Sequence, residues 1–469
     1  MSKKRSFIIM DWLRKTVNKV FPEVLPNNYL YSDMDDAIEK WLSVYYDSPK
    51  WLKQTHGRSL NLGASIASEF ARLIMIEFDV EITGDKRAEY LNTQFTKLKN
   101  HLRINLEEAC AVGGMVFKPY VRNGVILPDF ITQEKFIPLT FNADEITSAA
   151  FVNLYQQGTS RYCRIEKQTY NYDTRSHCVE SKFFTVNGNN LGKKVDAKKI
   201  SPNFDTYYEI HDVDKPLFAF WRVPMANTIE KDSPLGVSVY SRSVKNIMEA
   251  DFQWDRFLWE FEGGELAVDA CEELLRVRKQ INNNGEEENR YCTPSTRDRL
   301  FRRLQGEENA FYKVFAPTLR DTSYANGLDK ILRKIEFECA LGYGTLSDPQ
   351  NVDKTAEEVK NSKQRSFAVV ENMQKSLQTT LENYIYALDQ YTSACNLAPS
   401  GDYEIKFNWG DGVLEDNEKE QAIKLQEVNS NIITKVHYLM WRYGVTESQA
   451  KEMLPKKGKT GFFNEGGGT

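Results

Sequence analysis

The sequence predicts an α+β protein in which helix exceeds strand. Apolar residues recur at helical spacing up to residue 112 and again after residue 237. The block between them, residues 114–225, reads as β-rich and carries two Asn-Gly pairs beside apolar runs, a strong hairpin signal. Helix-rich and strand-rich blocks that follow one another along the chain favour the α+β class.

The first half of the chain should contain two helical regions and two hairpins. Residues 34–78 are expected to be mostly helical, and a second helix is expected over about 89–112, because their apolar residues repeat every three to four positions. One hairpin should turn at Asn123–Gly124 and the other at Asn187–Gly188. These elements account for most of the β-rich block.

A long helix is expected over residues 237–262, roughly 39 Å long at 1.5 Å per residue. One face carries a largely aromatic stripe, which we interpret as a packing surface: Trp254, Phe257, Leu258 and Phe261. A compact mixed insert, residues 263–323, separates this helix from a second one over 324–342. The second helix should stop near Gly342.

A polar loop, residues 343–353, follows the second helix. It lies between helices that carry their own apolar stripes, so the fold is not expected to depend on it. Thr355 and Glu358 form a capping box for a third long helix that continues almost to Cys395. The remaining elements are one strand and two helices, near 403–407, 416–442 and 446–454.

Composition excludes several classes of protein. The net charge is -5 with a pI near 5.8, whereas a protein that grips nucleic acid over its whole surface is basic. Seven dispersed cysteines without a Cys-x-x-Cys pair indicate reduced thiols. No apolar stretch approaches the roughly 18 residues of a membrane span. The lysines before Phe7–Met10 fit an amphipathic first helix better than a signal peptide, so a cytoplasmic protein is expected.

No pattern predicts a catalytic site, a metal or a cofactor. Gly458-Lys459-Thr460 ends like a phosphate-binding loop but lacks the leading glycine and strand. The histidines share no ligand spacing, and His177 and His211 are expected at the surface or in turns. Carboxylates near 260–265 and 286–288 are interpreted as solvated charge rather than a magnesium site. The chain is therefore predicted not to be an enzyme.

Five segments resemble, in the same order, segments of one protein family. They are Asn61–Ala71, Leu106–Pro119, Leu217–Ser238, Lys354–Val359 and Tyr443–Ala450. They are similar to the portal proteins of tailed bacteriophages, and most of all to portals of long-tailed phages that infect Gram-positive bacteria. The likeness runs over nearly the whole chain and is weakest in the insert. It departs at Glu357, where the family usually has Thr.

The resemblance implies a portal fold of wing, stem, clip and crown, assembled as a ring around a central channel. Its parts would be the wing (1–236), first stem helix (237–262), clip (263–323), second stem helix (324–342), tunnel loop (343–353), long helix and strand returning to the wing (354–413), and crown (414–469). The aromatic stripe of the first stem helix would then pack within the stem.

The resemblance also implies a function. Portal proteins form a ring of twelve subunits at one capsid vertex, through which double-stranded DNA is packaged and later ejected. The implied partners are the terminase large subunit, which supplies the ATP-driven force, the head–tail adaptor, and the major capsid and scaffolding proteins. DNA would pass without sequence specificity, and neither a cofactor nor a membrane is implied. The protein would be assembled in the host cytoplasm and be located in the virion.

The tunnel loop is expected to line the channel. Its candidate DNA-facing residues are Leu346, Ser347, Asp348, Gln350, Asn351, Val352 and Asp353. Duplex DNA carries one negative charge per about 1.7 Å of axis, so a basic wall would hold it, whereas a neutral or acidic wall lets it slide. The acidic pI, unusual for a DNA-binding regulator, fits a conduit.

Two other functions stay open at this stage. A DNA-processing phage enzyme would need an ordered carboxylate set or a phosphate loop, and neither is visible in the sequence. A capsid scaffolding protein would tend to be helical and polar throughout, whereas residues 114–225 read as β-rich. From the pattern alone, a generic α+β protein with a helical bundle also fits, and a prophage or gene-transfer particle could use the same fold.

Overall fold

The computed structural model divides the chain into two compact units, residues up to Asn408 and residues from Trp409. The residues that the structure describes are 10–21, 33–122, 124–142, 145–187, 190–200, 206–271, 276–281, 285, 287–292, 301–304, 312–348, 356–410, 424–430, 432–443 and 447–454. The described part of the chain contains both helices and strands, which agrees with the predicted α+β class.

The helices are named in chain order. They are α1 (Met10–Val20), α2 (Asp33–Tyr45), α3 (Leu62–Ile74), α4 (Lys86–Val112), α5 (Ala197–Ile200), α6 (Val244–Gly263), α7 (Asp321–Cys339), α8 (Ala356–Ala394), α9 (Lys435–Tyr443) and α10 (Glu447–Met453). Among the described residues, none of these helices is both long enough and apolar enough to span a membrane. The last two belong to the second unit.

The strands are likewise named in chain order. They are β1 (Asp79–Gly84), β2 (Gly114–Arg122), β3 (Val125–Thr132), β4 (Phe136–Phe141), β5 (Ile146–Gln157), β6 (Ser160–Asn171), β7 (Ser176–Asn187), β8 (Asn190–Val195), β9 (Tyr207–His211), β10 (Ala219–Arg222), β11 (Ala267–Cys271), β12 (Arg276–Ile281), β13 (Glu287–Cys292), β14 (Phe301–Leu304), β15 (Tyr312–Phe315) and β16 (Tyr403–Asn408).

Antiparallel pairing builds most of the sheets. β10, β2 and β3 form one sheet, and β4 to β8 form another in sequence order, with β9 also paired to β7. β1 pairs with β16, and β12 pairs with β13. In the insert between α6 and α7, β11 lies between β14, to which it is parallel, and β15. The insert is therefore mixed in direction.

Local patterns predicted several of these elements. The first Asn-Gly hairpin is confirmed: Arg122 pairs with Val125, and Gly124 adopts the left-handed φ of +73° that such a turn needs. A second hairpin is also present, but Asn187 is the last residue of β7 and pairs with Asn190, so it does not belong to the turn as predicted. The apolar stripe of α8 is core as predicted. Its buried members are Val370, Met373, Leu377, Leu381, Tyr384 and Leu388.

The end of α4 is held by a close backbone crossing. Gly113 follows the helix with a φ of +101°, and the chain at Gly236 passes directly over it. A Cβ on Gly236 would lie 1.9 Å from the carbonyl oxygen of Gly113, so only glycine fits. The Gln133 side chain donates to the carbonyl oxygens of Val112 and Gly236, at 3.0 Å each. This crossing fixes where the chain leaves the sheets and enters α6.

The crossing also explains a wrong boundary. The helix predicted over 237–262 begins only at Val244, because the preceding backbone is bonded elsewhere. The Val239 amide donates to the Cys110 carbonyl at 3.0 Å, and the Tyr240 hydroxyl donates to the Trp41 carbonyl at 2.9 Å. The second helix is close to its prediction, since α7 ends at Cys339 and Ala340 adopts a left-handed φ of +57°.

The single helix predicted over 416–442 is also wrong. In the second unit α9 begins at Lys435, and the Thr434 hydroxyl accepts a hydrogen bond from the His437 amide at 3.2 Å. That contact caps a new helix start, because an N-terminal amide has no partner within its own helix. The predicted capping residue Thr355 and the 458–460 segment lie outside the described residues.

Candidate functional site

The candidate site is built on the helix pair α6 and α7. Glu338 near the end of α7 accepts hydrogen bonds from Ser243 and Asn246 at the start of α6, at 2.8 and 2.7 Å. At the other end, Arg320 just before α7 pairs with Glu260 near the end of α6, with a closest distance of 2.6 Å. Early residues of one helix thus contact late residues of the other. The helices are antiparallel, and the insert joins their distal ends.

The segment between α2 and α3 fastens α6 to the rest of the first unit. The Trp51 indole donates to the Asp251 carboxylate at 2.8 Å, and the Leu60 amide donates to the same carboxylate at 3.0 Å. Burial raises the pKa of Asp251, although both donors act against it. Further along, Arg58 contacts Asp255 and Glu262. These contacts follow one side of α6 for about three turns.

The predicted stem stripe is not a core within the single chain. Trp254, Phe257 and Leu258 are half-buried, and Phe261 is 41% exposed. The rings instead pack along the helix: Trp254 stacks on Phe257 at a centroid distance of 5.5 Å, and Phe257 meets Phe261 edge-on at 5.0 Å. Whether the stripe packs between subunits stays a prediction.

The loop after α7 folds around a buried carboxylate that the sequence analysis did not single out. Glu336 on α7 is fully buried, and its Oε1 accepts hydrogen bonds from the amides of Gly344, Leu346 and Ser347 at 3.1, 2.6 and 2.9 Å. Its Oε2 accepts a hydrogen bond from the Ser347 hydroxyl at 2.8 Å. The sequence did contain a signal for this buried carboxylate. Glu336 lies between the apolar residues Ile335 and Phe337, just before a loop rich in Gly and Ser.

These contacts distinguish exposed from buried side chains among the predicted channel residues. Asp348 is exposed and Leu346 is half-buried, whereas Ser347 is only 4% exposed and faces Glu336. The assignment of Ser347 as a DNA-facing side chain is therefore wrong for this conformation, because its hydroxyl is used within the chain. The other predicted channel residues lie outside the described part of the chain. They are Gln350, Asn351, Val352 and Asp353.

The expected independence of fold and loop is also wrong. Deleting residues 346 and 347 would take three of the four donors described above away from a buried carboxylate. An unsatisfied buried charge is strongly destabilising, by about 3–5 kcal/mol when one partner of a buried pair is lost. The first half of the loop is thus part of the packed structure around α7.

A second cluster of ionised groups lies between two sheets, far along the chain from the helix pair. Lys118 on β2, only 1% exposed, contacts Asp129 on β3 at 3.1 Å and Glu166 on β6 at 3.0 Å. Arg164 also pairs with Glu166. Burial alone raises the pKa of Glu166, but Arg164 and Lys118 outweigh it and lower that pKa to about 2. Since these opposite charges pair within the chain, the cluster reads as structural.

His177 extends the cluster and corrects a prediction. It was expected at the surface or in a turn, yet it is fully buried on β7. Its Nε2 lies 3.0 Å from the Gln168 Oε1, and its Nδ1 accepts a hydrogen bond from the Leu217 amide at 3.4 Å. Burial lowers the pKa of His177 to about 3, so the ring is neutral near pH 7. His211, by contrast, is exposed at the end of β9.

No arrangement typical of catalysis emerges among these groups. Within the described residues, no three His, Cys, Asp or Glu side chains are grouped as metal ligands. Burial raises the pKa values of the thiols of Cys110, Cys163 and Cys339, which makes them poor nucleophiles. The features left as candidates for a function are the half-exposed aromatic stripe of α6 and the loop that is hydrogen-bonded to α7. No known family model matches the chain, and no curated protein matches it.

Proposed function

We propose that this chain is a portal subunit, a non-enzymatic protein whose copies form a ring around a channel for double-stranded DNA. The observation that carries the proposal is the α6–α7 pair. It is antiparallel, bears a strand-containing insert at its distal end, and leaves aromatic rings half-exposed along α6. The collinear resemblance of five sequence segments supports the same reading.

The exposed apolar surface fits assembly. Trp259 is 59% exposed, Phe261 41% and Leu266 49%, all near the junction of α6 with the insert. Large apolar side chains that cluster on a surface mark places where another surface packs. In a ring, each subunit would offer this face to the next through a repeated contact between two different patches, which closes when the rotation closes.

The electrostatics fit a conduit. The chain carries a net charge of -5, and the described part of the loop presents the exposed Asp348 rather than a basic side chain. Phosphate would be repelled weakly at such a wall, so DNA could slide at every register. Force would come from a separate ATP-driven terminase motor, which would dock at the insert. A head–tail adaptor would later replace it there, with capsid and scaffolding proteins around the ring.

The experiment that tests the proposal is an assembly measurement on the full chain. Mass photometry and negative-stain microscopy should reveal closed rings, with masses that are multiples of the 54.2 kDa subunit and with a central hole wide enough for duplex DNA. High protein concentration should favour them. A single 54.2 kDa species at every protein and salt concentration would contradict the proposal, and sheets or shells would favour a scaffolding protein instead.

A further inference from the structure

The loop that follows α7 is joined to that helix at two levels. Glu336 holds residues 344–347 through the four hydrogen bonds described above. The Asp348 amide donates to the Asp329 carboxylate at 3.0 Å. Asp329 precedes Glu336 by seven residues, which places both carboxylates on the same helix face, about 10 Å apart. The loop therefore runs back along α7 instead of pointing straight away from its end.

Burial makes the Glu336 contact a strong constraint. A carboxylate removed from water is tolerated only when hydrogen bonds replace its hydration. Four such bonds come from the loop itself, and hydrogen bonds to a charged acceptor are stronger than neutral ones. The loop thus permits the burial of Glu336, and Glu336 in turn fixes the loop. Asp348, directly after the anchored residues, is exposed.

We propose that Glu336 is the positioning residue of the loop, holding residues 344–347 so that the Asp348 side chain stands at a fixed level along α7. The anchoring is a property of the single chain. Its consequence for DNA rests on the proposed function: in a ring, every copy of Asp348 would stand at one height of the channel wall, as a ring of negative charge.

Hydrogen exchange of the full-length protein tests the anchoring directly. The amides of Gly344, Leu346 and Ser347 should be protected in the wild type. Glu336→Ala should speed their exchange about tenfold or more, since a hydrogen bond to a charged group contributes well over 1.4 kcal/mol. Glu336→Gln keeps a carbonyl oxygen in the place of Oε1, so it should restore most of the protection.

Glu338→Ala is the matched control. Glu338 lies on the same helix and accepts hydrogen bonds from Ser243 and Asn246, not from the loop. Its removal should loosen the start of α6 while the three loop amides exchange at the wild-type rate. Equal acceleration of the loop amides in Glu338→Ala and Glu336→Ala would overturn the proposal, because the loop would then respond only to general loosening of α7.

A milder variant keeps the test decisive if Glu336→Ala does not fold. The Ser347 hydroxyl also accepts a hydrogen bond from the Gly344 amide at 3.2 Å. Ser347→Ala should therefore speed exchange at Gly344 a few-fold and leave the amides of α7 unchanged. Glu336 still accepts from the Gly344 amide in this variant, so exchange at Gly344 as fast as in an unprotected amide would overturn the proposal.

DNA packaging separates this proposal from the proposed function. If Glu336→Ala releases the loop and slows packaging into particles, both stand. If it releases the loop while packaging is unchanged, the positioning role of Glu336 stands and the channel role of the loop is wrong. Protection of the loop amides that survives in a folded Glu336→Ala protein overturns the positioning role, whatever the packaging rate.

Discussion

The sheets around Lys118 and the α6–α7 pair differ in the kinds of side chain that they bury and expose. Between the sheets, Lys118 and Glu166 are each 1% exposed and pair with opposite charges inside the chain. Along α6, the rings of Trp259 and Phe261 are 59% and 41% exposed. One region buries groups that prefer water, and the other exposes groups that avoid it.

The difference indicates which region completes its packing within a single subunit. Buried charges must find all their partners during folding, because an unpaired buried charge is strongly destabilising. Exposed aromatic side chains do not destabilise the folded monomer in this way, and they can pack against a second surface on assembly. Substitutions between the sheets should therefore act on the stability of the single chain. Substitutions on α6 should act mainly on assembly.

The largest effect is expected at Glu166. Glu166→Ala removes the closest counter-charge of both Lys118 and Arg164, so it should lower the free energy of unfolding by about 3–5 kcal/mol. Urea titration followed by circular dichroism measures this. Glu180→Ala in the same sheet is the control, since it breaks a partly exposed pair with Lys182 and should change stability by less than about 1 kcal/mol. Similar losses for both variants would show that the buried ion pairs of Glu166 matter no more for stability than the partly exposed pair of Glu180.

An intermediate effect is expected at Trp254. Replacing a fully buried tryptophan by Ala lowers the free energy of unfolding by about 3–5 kcal/mol. The Trp254 side chain is half-buried, so Trp254→Ala should lower it by roughly 2 kcal/mol in the monomer. The fraction of folded chains that assemble into oligomeric rings should also fall, and by more than this loss of stability explains. Mass photometry measures this fraction. Glu166→Ala should leave ring yield per folded chain unchanged. Normal ring yield for Trp254→Ala would show that the stripe is not an assembly surface.

The effect that is smallest near pH 7 is a pH dependence, and it grows as the pH falls. Burial lowers the pKa of His177 from 6.5 in the unfolded chain to about 3 in the folded protein, so between these pH values only the unfolded chain binds the extra proton. Stability should therefore fall as pH falls from 6.5 towards 3, by up to about 1.4 kcal/mol per pH unit. Glu166, with a pKa lowered from 4.5 to about 2, adds a loss in the same direction below 4.5.

His177→Gln should flatten the stability profile between pH 6.5 and 4.5 and leave the loss below 4.5. Denaturation midpoints across this range measure it. His101→Gln, at an exposed position on α4, should keep the wild-type slope. An unchanged slope in His177→Gln would mean that the buried ring does not contribute.

Sequence patterns predicted what neighbouring residues determine. The stripe of α8 and the two hairpins depend on spacings of a few residues, so their existence was predicted correctly, although Asn187 lies in β7 and not in the second turn. The start of α6 was wrong because the Val239 amide is bound by Cys110, well over a hundred residues earlier. Burial of His177 likewise depends on Gln168 across the hairpin and on Leu217 from a distant segment. Periodicity carries no information about such partners.

The candidate site was predicted less completely than the fold. The aromatic stripe lies on α6 and the described start of the loop follows α7, both as predicted, but the contacts of Ser347 were not predicted. The family resemblance implied that this residue faces DNA, whereas its hydroxyl donates to Glu336. A buried carboxylate and a solvated one look alike in sequence, and only the packing of α7 and the loop distinguishes them. For the same reason, the loop was wrongly treated as separable.

The pairing of β1 with β16 has a consequence for synthesis on the ribosome. Gly84 pairs with Tyr403, so one edge of β1 has no partner until the far end of the first unit has been made. At roughly 5–20 residues per second, the approximately 320 intervening residues take about 15–65 seconds to translate. During that time the nascent chain presents an open strand edge, the kind of surface on which chains aggregate. Crowded polysomes translating this message should therefore depend on chaperones more than the finished protein does.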